Sequence, residues 1–154
     1  MQPDGCGRAS LINLDTSVLL VFTLTESIEV ERAKTDRRLF AQIDSGSISA
    51  ATSFYALHWV FVFTLENAPD LETGSEFGKA ALQKLLAAPL RILPFVTQTE
   101  RRRLADKFST LKDSTDLPHA ISAYTAGCEA IAAYDEHFRA IASVIPYKTP
   151  DDYL

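Results

Sequence analysis

The chain has 154 residues, room for one domain with a proper core and too few for two of ordinary size. Hydrophobic residues make up 47% and charged residues 23%, which excludes a disordered or fibrous chain. A formal net charge of -5 excludes a global positive field, so a polyanion could be held only by a local basic patch.

Residues 1–10 read as a loosely ordered lead, before a single domain over 11–148. Leu11-Ile12-Asn13-Leu14 is an apolar run too short for a helix and predicts a buried strand ending at Asp15. Thr16 or Ser17 can then cap a helix running to residue 25. Residues 27–43 mix charges with Ile28, Leu39, Phe40 and Ile43, the pattern of an amphipathic helix, stopped by Ser45-Gly46. A short strand over 47–50 and a mostly apolar helix over 51–65 follow, the helix closed by Asn67-Ala68-Pro69-Asp70. Residues 71–78 read as a mobile loop, 79–87 as a helix, and 90–93, between two prolines, as a strand. Thr97 and Glu100 have the spacing of a capping box for a helix to residue 108. Pro118 suits the first turn of a helix ending at Gly127, with Asp116 at its cap. Two last strands are expected over 131–134, followed by Asp135, and 144–147; residues 149–154 form a tail.

Strands separated by helices predict a three-layer α/β/α fold with a central parallel sheet. Ligands of such sheets collect outside the carboxyl ends of the strands, where the strand order reverses, and Asp15 and Asp135 lie at that edge. There is no GxGxxG, Walker loop or GxSxG elbow. Ser17 stands where a phosphatase of the haloacid dehalogenase type needs a second aspartate, which disfavours nucleophilic phosphoryl chemistry at Asp15. The apolar stretch 54–65 is too short for a bilayer and no basic leader precedes it, so the chain is expected in the cytoplasm. Cys6 and Cys128 read as reduced thiols, and Phe54, Phe61 and Phe63 as core.

Leu11-Ile12-Asn13-Leu14-Asp15-Thr16-Ser17-Val18-Leu19-Leu20 resembles the opening of a PIN domain. Leu117-Pro118-His119-Ala120-Ile121-Ser122-Ala123-Tyr124-Thr125-Ala126 is similar to that family's later Asp-Ala-x-x-x-Ala-x-Ala helix. Ala133-Tyr134-Asp135-Glu136-His137-Phe138 resembles its closing Thr-x-Asp-x-x-Phe motif. The resemblance spans 11–148 in the right order and implies a strand order 3-2-1-4-5, bringing Asp15 and Asp135 face to face. Two carboxylates so placed repel unless a cation lies between them or one keeps a proton. Oxygen ligands suit Mg²⁺ or Mn²⁺, which can activate water for phosphodiester cleavage. The family thus implies a metal-dependent endoribonuclease, often the toxin of a toxin–antitoxin pair, with RNA and a small antitoxin protein as partners and a homodimer allowed.

The chain also departs from the pattern. The helix expected to carry the second acid offers Tyr55, Ala56 and His58, and the third acid's position is His119. Asp116, one turn earlier, can substitute after a small register shift, although as an N-cap it also has a structural role. A helix N-terminus favours neutral His119, which can ligate Mn²⁺ but suits Mg²⁺ poorly; Asp15, His119, Asp135 and His137 would make such an altered site. Thr16 and Ser17 cap a helix or hold a water beside Asp15. Arg101-Arg102-Arg103 with Lys107 and Lys112 is the densest basic stretch, either solvated surface or, through Arg101, Arg102 and Lys107, an RNA contact. The alternative to the nuclease is a PIN fold that has lost catalysis and serves as a binding or regulatory module. A third reading is an unrelated α/β enzyme with a closed apolar pocket near Asp15.

Overall fold

Five short strands form the centre of the computed structural model, which describes residues 10–154. They are β1 (Leu11–Leu14), β2 (Ser49–Ser53), β3 (Arg91–Leu93), β4 (Ala130–Ala132) and β5 (Tyr147–Lys148). All pair in parallel, in the order β3-β2-β1-β4-β5. Parallel neighbours need crossover connections, and helices supply them: α1 (Thr16–Thr23), α2 (Val30–Asp44), α3 (Phe54–Asn67), α4 (Leu71–Ala87), α5 (Gln98–Leu104) and α6 (Leu117–Thr125). The strand alternation of β1 divides the core. Ile12 and Leu14 pack with Leu19, Phe40, Val60 and Leu85 from α1 to α4, whereas Leu11 faces Phe108, Ile121, Phe138 and Ile141 on the other side. The three-layer fold with order 3-2-1-4-5 is therefore the observed one. The expected N-terminal lead lies outside the described residues except for Ser10, and Cys6 lies outside them too. Cys128 is buried, which pushes its thiol up to about 11. Among the described residues no helix is long and apolar enough to cross a membrane.

Several boundaries differ from expectation for identifiable reasons. Residues 51–53 extend β2 instead of opening a helix: Ala50, Ala51, Thr52 and Ser53 are small enough to be buried on both faces of a central strand. Thr52 can be buried because its hydroxyl donates to the Leu14 carbonyl at 2.8 Å. The register of α3 thus starts three residues late, at Phe54. Residues 71–78 are not a loop. They are the first two turns of α4, capped by Asp70, whose Oδ1 accepts from Thr73 N at 2.7 Å. The two glycines that suggest a loop are buried where α4 presses on α3. A Cβ on Gly74 would lie 2.9 Å from the Thr64 carbonyl oxygen, and one on Gly78 2.5 Å from the Phe61 ring.

The capping box at Thr97 and Glu100 is present in both directions, and the helix it starts tightens into a 3-10 turn over Ala105–Phe108. Phe54 is not core: it is 47% exposed. Residues 149–154 include a 3-10 turn, Pro150–Tyr153, capped by Thr149 and Asp152. It packs on α2, where Thr35 Oγ1 donates to Asp151 at 3.0 Å and Gln42 Nε2 to the Tyr153 carbonyl at 3.3 Å.

Candidate active site

At the end of β1 the chain turns directly into α1, and Asp15 is the residue at the turn. Its N–H continues the sheet, donating to the Ala132 carbonyl at 3.0 Å. Its Oδ2 accepts from Ser17 N at 3.1 Å and from Ser17 Oγ at 2.8 Å, so Asp15 itself caps α1, a role expected of Thr16 or Ser17. Asp15 is only 5% exposed. Ser17 Oγ also accepts from Tyr134 N at 3.0 Å, tying the Asp15 turn to the segment that carries Asp135. β4 stops at Ala132, so Asp135 lies three residues beyond the strand, at the start of a 3-10 turn over Glu136–Ile141.

A cleft of about 280 Å³ opens where the sheet order reverses, and Asp15, Asp116, Asp135, Asp113 and Glu66 all line it. Burial, and after it the charge of Asp15, lifts the Asp116 carboxyl to about 6. The same two causes, in the same order, raise Asp135. Three carboxylates therefore share one field, with Asp15 at its centre. Asp116 stands at the N-terminus of α6 but caps nothing, contrary to the structural role read for it. It accepts a hydrogen bond from His137 Nδ1 at 3.2 Å.

His119, one turn into α6, is buried, and burial lowers its pKa although Asp15 opposes the shift. Its Nδ1 lies 3.1 Å from Ser53 Oγ. That hydroxyl also accepts from Ala56 N at 3.0 Å as the cap of α3, so one serine ties the start of α3 to the His119 ring. His119 is thus a neutral group on the cleft wall. The carboxylate-rich donor set has the chemistry of a hard divalent cation site. Among the described residues, however, no three His, Cys, Asp or Glu side chains converge closely enough to hold a metal ion as they stand.

Of the residues singled out in the sequence, Asp15, Thr16, Asp116, His119, Asp135 and His137 all meet at this cleft, with Ser17 hydrogen-bonded beneath it. Arg101 and Arg102 are exposed on α5 and Lys107 on the turn after it; none of them lines the cleft. Glu66 was missed. Trp59, Phe63 and Glu66 stand four and three residues apart, one face of α3, and all three line the cleft. That spacing was the available signal, but Glu66 lies one residue beyond the end expected for this helix.

No protein-family model matches the sequence, and no curated protein matches it. Solved structures do match in fold. A chain of VapBC2 from Rickettsia felis, bound to a DNA fragment from its promoter, superposes with a TM-score of 0.65 at 14% identity, covering 90% of this chain and 98% of that one. VapC20 from Mycobacterium tuberculosis, a Sarcin-Ricin loop cleaving toxin, gives 0.62 at 19% identity, covering 84% and 93%. VapBC-1 from nontypeable Haemophilus influenzae gives 0.61 at 14%, covering 92% and 98%. The chain shares a PIN-like α/β/α fold with these structures.

Proposed function

We propose that this chain is a PIN-fold endoribonuclease that works with Mg²⁺ or Mn²⁺, the toxin of a toxin–antitoxin pair. One observation carries the reading: Asp15, Asp116 and Asp135 line a single cleft at the sheet reversal, where burial, and after it the charge of Asp15, raises the pKa of both Asp116 and Asp135. Like charges held together this way favour a cation or a proton, and a phosphodiester enzyme uses both. Asp15, Asp116 and Asp135 would hold the cation, whose chemistry when bound is charge stabilisation at the phosphate and activation of water. Ser17 keeps Asp15 oriented and joined to the Tyr134 segment, and the His137 hydrogen bond orients Asp116. Glu66 adds an acid on the wall where the first turns of α3 supply none. His119, kept neutral by burial, has its Nδ1 engaged by Ser53.

The VapBC neighbours support a small antitoxin protein as partner, and the reading carries a cytoplasmic setting and RNA as substrate. A homodimer is compatible with it. The test is cleavage of total RNA by purified protein with Mg²⁺ or Mn²⁺ and with EDTA. Asp15→Asn, which retains a capping oxygen, and Asp135→Asn should each lower metal-dependent cleavage by about a hundredfold or more. Cleavage unchanged by EDTA or by either substitution would sink the proposal. The second reading, a fold that binds without cleaving, is favoured by the unconverged carboxylates. Wild-type protein that binds RNA or an antitoxin but cleaves with neither metal would establish it.

A further inference from the structure

The nuclease reading leaves an aromatic surface beside the cleft unused. Phe54 opens α3, and Phe95 lies in the segment between β3 and α5; they are 47% and 57% exposed, with ring centroids 4.8 Å apart. Tyr55 stands edge-on to Phe95 at 4.9 Å, and its hydroxyl accepts from Val96 N at 2.9 Å, pinning the segment to α3. Inward, the Tyr55 ring is 6.0 Å from that of His119. One turn further along α3, Trp59, 39% exposed, lines the acidic cleft. Outward, two residues past Val96, α5 begins and presents Arg101, Arg102 and Arg103 to solvent. Among the described residues none of the three makes an ion pair.

Neither Phe54 nor Phe95 belongs to the core on either face of the sheet. Two large rings left half in water cost apolar burial, and the order of groups across this surface gives them a use. It runs from carboxylates through exposed π-faces to unpaired guanidinium groups. A single strand of nucleic acid presents the complementary order, with a reacting phosphate, bases that stack and further phosphates. In a duplex the base faces are covered by their neighbours, so the surface selects unpaired bases. Phe95 is also one wall of a cavity of about 400 Å³ shared with Arg91, Thr97 and Ser122. Arg91 and Thr97 are thus polar neighbours for a base on Phe95.

We propose that Phe54 and Phe95 form a stacking platform for an unpaired base of the RNA, with the α5 arginines on the phosphates beyond it. The choice of polymer rests on the nuclease reading; the platform itself is tested by binding. The Asp15→Asn chain, used to suppress cleavage, is titrated against fluorescein-labelled oligoadenylate and against a labelled blunt-ended RNA duplex, following anisotropy. Phe54→Ala/Phe95→Ala in that background should weaken oligoadenylate binding about tenfold or more and duplex binding little. Phe95→Trp should retain it, and Arg101→Ala/Arg102→Ala should flatten its salt dependence. Thermal melting verifies that each variant is folded.

Unchanged oligoadenylate binding in the double alanine variant, or equal loss on both RNAs, overturns the platform. So does RNA binding that survives while a concentration-dependent oligomer is lost, which would assign the surface to a second copy of the chain. If wild-type protein binds oligoadenylate through these rings yet cleaves no RNA with either metal, the platform stands and the nuclease reading falls. If it cleaves and the double variant cleaves with unchanged KM, the reverse holds.

Discussion

Asp36 has none of its surface exposed; its Oδ1 accepts from the Tyr134 hydroxyl at 2.6 Å, and its Oδ2 has no partner among the described residues. Burial, reinforced by the charges of Glu29 and Asp151, raises its pKa from 3.8 to about 7 against the opposing Tyr134 bond and Arg32. The folded chain thus keeps a proton that the unfolded chain has released. Stability must fall as pH rises from near 4 to near 7 and then level off, by roughly 4 kcal/mol at the upper limit. Asp36→Asn should flatten this dependence and make the variant the more stable protein at pH 8. Melting curves at several pH values check it; parallel profiles for the two proteins would refute the assignment. Nothing in Thr35-Asp36-Arg37-Arg38 marks the second residue as buried, since local charge pattern does not report what α2 packs against. Asp15 was legible because it follows a short apolar run that is a strand; Asp135 was reached by the same reasoning although β4 ends three residues before it. His119 was legible as a site position through its motif, but its hydrogen bond to Ser53, distant in the chain, was not.

Among the elements, α3 and α4 show how a correct residue type leads to a wrong structure. Glycines at 74 and 78, with Thr73 and Ser75 near them, have loop composition, and helix propensity penalises each glycine by about 1 kcal/mol. Packing overrides this: the two glycines let α4 approach α3 where a side chain would meet Thr64 or Phe61. Gly74→Ala should accordingly destabilise the protein despite alanine's better propensity. Crowding against the backbone oxygen of Thr64 costs about 1–3 kcal/mol, more than the helix regains. Urea denaturation measures the balance, and a more stable variant would mean that the two helices separate easily. The start of α3 was misread for a related reason. Ala51-Thr52-Ser53 is poor strand sequence by composition, and only its place between β1 and β3 makes small residues the right ones. Glu66 fell outside the expected helix for a separate reason, since α3 runs two residues past the expected end, to Asn67. The capping box at Thr97, by contrast, is a wholly local signal and was read correctly.

For the molecule as a whole, the sheet order was legible only through the ordered motifs; periodicity alone gave strands and helices without an arrangement. The C-terminal segment is more integrated than a tail. Tyr153 packs against the core on the α2 side and Pro150 is buried, in addition to the hydrogen bonds made by Thr35 and Gln42. Removing residues 149–154 should therefore lower the melting temperature by roughly 5 °C or more. An unchanged Tm would show the turn to be dispensable. The turn at Asp15 has a further consequence, for descent rather than stability. Asp15 begins α1 as well as facing the cleft, whereas Asp135 makes no capping bond. In a lineage released from selection for chemistry, the helix would go on preserving Asp15 while Asp135 drifted. Retention of Asp135 among relatives would thus be the sharper record of whether this cleft has been kept in use.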